Sequence, residues 1–210
     1  MSKRKISEST IRRLSKYYRS LERLIQEGQS TVSSEELAAM DGITSAQVRK
    51  DLSFFGTFGK RGLGYDTRAL KEQIAEILGL NRKWNVAIIG AGNIGRALAK
   101  YGEFEKQGFQ IKLILDSDPE KIGQEIRGIR VEDYRKAREL LQKENIEIAI
   151  IAVPAQAAQS VADLVVEAGI RAILNFAPCS LHVPPHVQVR NENMAIEMES
   201  LSYFLTNSES

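Results

Sequence analysis

Residues 86–89 are Val-Ala-Ile-Ile, and Gly90-Ala91-Gly92-Asn93-Ile94-Gly95 follows with no spacer. This join constrains the fold more tightly than any other stretch. The apolar run reads as a buried parallel strand. Behind the glycines, Ile94, Leu98 and Tyr101 recur at helical spacing. A second strand is expected over 110–115, running into Asp116, which lies 21 residues beyond Gly95. Strand, glycine turn, helix, strand and acid, in that order, are the fingerprint of a Rossmann dinucleotide-binding domain. Gly90 lets the chain turn sharply, Gly92 lets the backbone approach a pyrophosphate, and Gly95 allows close helix–strand packing. The helix start, from Asn93 and Ile94, supplies N–H donors and a partial positive charge. Asp116 can accept hydrogen bonds from adenosine ribose hydroxyls. Its charge opposes a 2′-phosphate, so NAD(H) is expected rather than NADP(H).

The alternation continues, with a helix over 133–144, a strand over 146–153, a helix over 157–168 closed by Gly169 and a strand over 170–175. Val153 and Phe176-Ala177 therefore stand at strand ends, on the edge where open α/β sheets bind ligands. A last helix is expected over 195–205. Its Ile196, Met198, Leu201, Tyr203, Phe204 and Leu205 spread over more than one face. Such a helix needs cover, and a partner subunit is the expected one.

The N-terminal part differs in charge. Residues 1–83 carry 16 Lys and Arg against 10 Asp and Glu, whereas 84–210 carry 13 against 17. A basic first part points to a polyanionic partner. Apolar spacing predicts a helix over 9–27, and Ser33 with Glu36 forms a capping box for a second over 33–40. Asp41-Gly42 makes the turn, and a third helix starts at Thr44 or Ser45 and runs to about residue 55. Two short helices joined by a glycine turn form a helix-turn-helix pattern, with the second helix entering the major groove. Thr44 and Ser45 can hold a phosphate at the helix start, and Gln47, Arg49, Lys50 and Ser53 supply polar contacts. The stretch 56–65 then carries four glycines around Lys60, Arg61 and Gly62. A basic hairpin of this kind fits a narrow A·T-rich minor groove, completing a winged helix. Thr67 is expected to cap a fourth helix ended by Gly79. The domain reading is thus a winged helix over 1–80, a Rossmann domain over 84–192 and a dimerisation helix over 193–207.

Other classes fit less well. The longest apolar run, 148–153, is too short to span a bilayer. The basic, polar first ten residues predict no secretory leader. A single cysteine, Cys179, fits a reducing cytoplasm and gives no Cys-rich metal site. His182 and His186 lie in a proline-rich stretch suited to a loop, and no catalytic domain follows the dinucleotide fold. The expectation is a protein that is not an enzyme and that reads the nucleotide as a signal. Two alternatives remain open: a small NAD-dependent reductase with a basic accessory domain, and a CoA- or nucleotide-binding regulatory module without DNA affinity.

Several runs together resemble the Rex family of redox-sensing repressors. They are Gln47-Val48-Arg49-Lys50-Asp51-Leu52-Ser53-Phe54-Phe55-Gly56, the wing from Gly59 to Tyr65, Ala91-Gly92-Asn93-Ile94-Gly95-Arg96-Ala97-Leu98, and Leu174-Asn175-Phe176-Ala177-Pro178. The resemblance spans nearly the whole chain. It implies a homodimer on palindromic, A·T-rich operator DNA, released by NADH while NAD⁺ competes without releasing it. It further implies that the last helix is exchanged between subunits, and that Tyr101, Phe176, Ala177 and Pro178 line the nicotinamide end. The family usually has an aspartate before the last helix, switching with an arginine of the first. The matching residues here are Asn193 and Arg19; an amide can hydrogen-bond but carries no charge, so the charge-assisted contact is weakened. A Rex-like repressor with a weak NADH response is the corresponding variant of this reading.

Overall fold

The computed structural model describes residues 6–56, 58 and 64–207. Two compact units divide at Arg82 and Lys83. The first runs α1 (Glu8–Gln26), β1 (Thr31–Val32), α2 (Ser34–Asp41), α3 (Ser45–Ser53), β2 (Tyr65–Asp66) and α4 (Thr67–Leu78). β1 and β2 pair antiparallel, so the chain leaves the helix-turn-helix and returns beside it, as a winged helix requires. At the return, Gly64 has φ +73°, and a Cβ there would strike the Val32 carbonyl oxygen at 2.6 Å. Lys60, Arg61 and Gly62 of the expected wing lie outside the described residues.

The expected capping box is present: the Ser33 hydroxyl accepts the Glu36 N–H at 3.0 Å, and the Glu36 carboxylate accepts the Ser33 N–H at 2.7 Å. Gly42 ends α2 in the left-handed conformation, φ +67°. The cap of α4 departs from expectation. Asp66, not Thr67, accepts the Ala69 N–H, at 2.8 Å. Thr67 is fully buried and donates its hydroxyl to the Gln29 carbonyl at 2.7 Å. Both residue types cap helices well, and burial decided which one was left outside.

The second unit runs β3 (Trp84–Ile89), α5 (Asn93–Lys100), α6 (Glu103–Lys106), β4 (Phe109–Asp116), β5 (Glu125–Ile126), β6 (Ile129–Asp133), a 3₁₀ turn (Tyr134–Lys136) and α7 (Ala137–Lys143). It continues through β7 (Ile148–Ile151), α8 (Ala155–Glu167), β8 (Ala172–Asn175), β9 (Gln188–Asn191) and α9 (Met194–Asn207). The sheet order is β5-β6-β4-β3-β7-β8-β9, parallel except for the β5–β6 hairpin. From β3 the chain first builds outward through β4 and β6, then returns to add β7, β8 and β9 on the other side. The reversal falls between β3 and β7, where doubly wound sheets open a crevice.

The helix α6, the β5–β6 hairpin and the strand β9 went unforeseen. Residues 129–133 are strand, so the helix expected from 133 begins later; Arg127 (φ +51°) and Gly128 (φ +79°) make a two-residue hairpin turn ahead of the strand. The short, polar β9 forms the far edge of the sheet.

One sheet face, from Ala87, Ile89, Leu113, Leu115, Ala149 and Ile151, is packed beneath Leu141, Val161 and Val165 of α7 and α8. On the other face, Val86, Phe104, Phe109, Ile111, Ile148, Ile150 and Leu174 line an apolar hollow of about 150 Å³. α9 has no buried residue. Its Met194, Ile196, Met198, Leu201, Tyr203, Phe204 and Leu205 are all more than half exposed.

Candidate functional site

The C-terminal ends of β4, β3, β7 and β8 open on one cavity of about 720 Å³. Neighbouring strands are ~4.8 Å apart, so the cavity runs across roughly 14 Å of sheet edge. Its walls take Asp116, Ser117, Asp118 and Lys121 beyond β4, and Gly90, Gly92, Asn93 and Ile94 beyond β3. Val153 and Pro154 follow β7, and Phe176 and Pro178 follow β8.

The glycine loop shows why each residue is small. A Cβ at Gly90, where φ is +104°, would meet the Ala152 carbonyl oxygen at 2.3 Å, and one at Gly95 would meet the Gly90 carbonyl oxygen at 1.8 Å. Gly95 thus seats α5 against the loop. Gly92 differs: a Cβ there would meet nothing within 4 Å. Its smallness serves no contact inside the chain and leaves room for whatever enters the cavity. Gly92 is also the N-cap of α5 and makes no side-chain cap, so the first-turn N–H groups have no side-chain acceptor there. Ala91 is fully buried and points its N–H at Asp116.

Asp116 is already engaged. One oxygen accepts the Ala91 N–H at 2.7 Å, and the other accepts the Asp118 N–H at 2.8 Å. Each carboxylate oxygen carries two acceptor sites, so capacity remains for hydroxyl donors. Lys121 lies 3.5 Å from Asp116 and 3.2 Å from Asp118. Its hydrogen bond to Asp118 raises the Lys121 pKa. Sequence reasoning missed this lysine, because one cation four residues beyond Ser117 carries no motif.

The opposite end is apolar. Val153, Ala157, Phe176 and Pro178 line it. Ala177 is buried behind this wall in the core. Tyr101 does not reach the cavity in its own chain: it is half exposed and stands edge-on to Phe104 at 5.2 Å. Both rings border a separate hollow of about 230 Å³.

In the first unit, α3 presents Ala46, Arg49, Lys50 and Ser53 to solvent. Positions i, i+3, i+4 and i+7 form one stripe on a helix. Thr44 caps α3 by accepting the Gln47 N–H at 3.2 Å, and Ser45 follows half-buried. Arg49 donates to Glu35 at 2.9 Å and to Ser34 at 2.8 Å, which holds the guanidinium against α2.

Gln47 turns the other way and donates to Asp51 at 2.8 Å. Asp51 is fully buried and also receives Arg13 at 2.5 and 2.8 Å and the Tyr17 hydroxyl at 2.9 Å. Burial pushes the Asp51 carboxyl up, but hydrogen bonds from Arg13, Tyr17 and Gln47 outweigh it and hold the group below the usual range. Burial, with the Asp51 hydrogen bond, pushes the Tyr17 phenol well up. This node, which the sequence reading did not foresee, locks α3 onto α1.

Arg19 is exposed on α1. Asn193 starts α9, its side-chain oxygen accepting the Ala195 N–H at 3.0 Å. Among the described residues no helix is long and apolar enough to cross a membrane.

Known proteins align with both halves. A family described as the N-terminus of a putative DNA-binding protein matches residues 5–53, and a CoA binding domain matches residues 81–179. The redox-sensing transcriptional repressor Rex of Chloroflexus aurantiacus is 49% identical over 195 residues, 93% of this chain and 92% of that protein. Rex of Syntrophomonas wolfei is 49% identical over 201 residues, 96% of each. Among solved structures, RSP in complex with β-NAD⁺ and operator DNA superposes with a TM-score of 0.94 at 40% identity, covering 98% of this chain and 94% of RSP. RSP in complex with β-NADH gives 0.88 at 39% identity, covering 97% and 96%.

Proposed function

The chain belongs to the Rex family of redox-sensing transcriptional repressors, and from that premise we propose that it is a cytoplasmic homodimeric repressor whose hold on operator DNA is set by NADH. The carrying observation is the cavity across four strand ends, with an acid at one end, the start of α5, without a side-chain cap, in the middle and an apolar wall at the other. NADH and NAD⁺ share adenosine and pyrophosphate. Asp116 takes the ribose hydroxyls, and the start of α5 takes the pyrophosphate. Only the nicotinamide differs, neutral when reduced and cationic when oxidised. The wall of Val153, Phe176 and Pro178 offers no counter-charge, and burying a cation there is costly. The apolar end therefore favours the reduced ring. Such a ligand shifts a conformational equilibrium only by its differential affinity for the two states.

Residues 1–80 form the DNA-binding domain, 84–192 the nucleotide domain and 193–207 the dimerisation helix. On DNA, Thr44 and Ser45 lie at a backbone phosphate, and Arg49, Lys50 and Ser53 meet the major groove. Gln47 is oriented by Asp51, and Lys60, Arg61 and Gly62 serve the minor groove. Paired recognition helices on a palindrome require a dimer. The seven exposed apolar residues of α9 are a surface that a second copy covers. Closure by NADH takes the paired helices out of register with successive grooves.

The test is operator binding at several NADH/NAD⁺ ratios and one stated salt concentration. Release as NADH rises, with NAD⁺ opposing it, is the expected result. Operator affinity unchanged at saturating NADH overturns the redox switch.

A further inference from the structure

Asn175 closes β8 and is fully buried. Its amide orientation is dictated by its neighbours. Oδ1 accepts the Ala177 N–H at 3.0 Å, and Nδ2 faces three oxygens: Cys179 O at 2.9 Å, Asn191 Oδ1 at 2.9 Å and Ala177 O at 3.3 Å. Only one placement of nitrogen and oxygen satisfies this set. The bonds to Ala177 and Cys179 fix the loop that carries Phe176 and Pro178, the apolar wall of the cavity. The bond to Asn191 crosses to β9, and just past that strand the Glu192 N–H donates to the Asn175 carbonyl at 2.8 Å. Two residues beyond Asn191, Asn193 starts α9.

We propose that Asn175, acting through Asn191, is the positioning residue that carries occupancy of the nicotinamide end into the start of α9. A side chain that bonds its own loop through both Oδ1 and Nδ2 leaves that loop little freedom to absorb a displacement. On one side of β8 lies β7, whose Ala149, Ile150 and Ile151 are buried. Packed interiors resist small shifts. On the other side lies the edge strand β9, which has no buried residue. A shift of the wall therefore passes toward β9, the side with least packing to oppose it. This inference rests on the cavity taking a pyridine dinucleotide.

Asn191 is exposed, so truncating it removes the crossing bond and leaves the Asn175 loop bonds in place. The experiment uses the full-length dimer, with amide hydrogen exchange over 176–179 and 192–200 measured with and without NADH, and NADH affinity measured in parallel. In the parent protein NADH slows exchange in both segments. In Asn191→Ala the wall loop is still protected, NADH affinity is kept, and the effect over 192–200 falls by at least about fivefold, the low end of an allosteric coupling. Asn191→Asp retains the acceptor and restores the effect to within about twofold. Parent-like protection of 192–200 in Asn191→Ala overturns the proposal. So does loss of wall protection and NADH affinity together, which makes the pair only part of the pocket. NADH binding to the parent without any change over 192–200 also overturns it. Failure of the parent to bind NADH at all defeats the nucleotide reading itself, a separately visible result.

Discussion

The two units keep their shapes by different means. Of the buried polar residues among those described, Thr10, Ser34, Asp51 and Thr67 lie in the smaller, basic unit, and only Asn175 lies in the sheet unit. The first unit sets α3 on α1 with directional bonds converging on one carboxylate. The second leans on contact, with Gly90 and Gly95 pressed on backbone oxygens and apolar side chains on both sheet faces, and adds directional bonds at Asp116 and Asn175. Directional bonds suit a helix that must meet DNA in one orientation. Close contact suits a cavity whose walls must keep their separation. The difference also teaches where each unit is vulnerable: the first to loss of a charge, the second to gain of a methyl group.

The sharpest way to break the contrast is Asp51→Ala. Removing one partner from a buried pair costs ~3–5 kcal/mol, so the first unit should unfold far earlier in urea and operator binding should collapse. NADH binding by the second unit should persist. The pH dependence follows from the same node. The Asp51 carboxyl is held below its usual range, so its contribution is complete above about pH 4 and fades as the pH falls through the depressed value. Acid titration followed by a probe in each unit should show the first unit losing stability on that account, and Asp51→Asn should flatten the loss. Equal acid sensitivity in the variant would remove Asp51 as its source.

Gly95→Ala attacks the other unit. The added carbon meets the Gly90 carbonyl oxygen at 1.8 Å, and backbone does not yield as a side chain does. Overpacking costs about 1–3 kcal/mol. The variant should lose NADH affinity and the NADH response, while apo operator binding stays near the parent. Unaltered NADH affinity would mean that the loop is looser than its contacts imply. Asp116→Ala comes next. It deletes the acceptor of the Ala91 N–H as well as the ribose partner. Hydrogen bonds to a charged group are worth ~1.5–3 kcal/mol, so NADH affinity should drop roughly thirtyfold with apo DNA binding intact.

What the chain reveals before folding tracks the same divide. The glycine fingerprint, Asp116, the capping box and the αL glycines at 42 and 79 are local: residue type and spacing alone carry them. The nodes that tie distant segments were unreadable. Asp51 looks like one more surface acid until folding brings Arg13 and Tyr17 to it across 38 and 34 residues. Asn175 reads as a strand end, and its partner Asn191 sits on a strand too short and polar to stand out. Tyr101 matched a family position, but the fold of a single chain does not bring it to the cavity. Such residues act through partners that no window of sequence contains.

The smallest expected effect on stability is the most informative about the switch. At position 193 the amide oxygen already receives the Ala195 N–H. Asparagine and aspartate are near-equal helix caps, and a carboxylate at a helix start adds only ~0.3–1 kcal/mol. Asn193→Asp should therefore leave thermal stability within about 1 kcal/mol of the parent. Its charge is another matter, because a carboxylate adds opposite charge and a bidentate fit to a guanidinium that a neutral amide lacks. If Arg19 is that guanidinium, the ratio of operator affinities without and with NADH should grow in Asn193→Asp, and Arg19→Gln should cancel the gain. A purely local cap effect would survive the Arg19 change. A ratio identical in parent and variant would place the switch on contacts other than this pair, and would leave the uncharged residue at 193 without consequence for redox sensing.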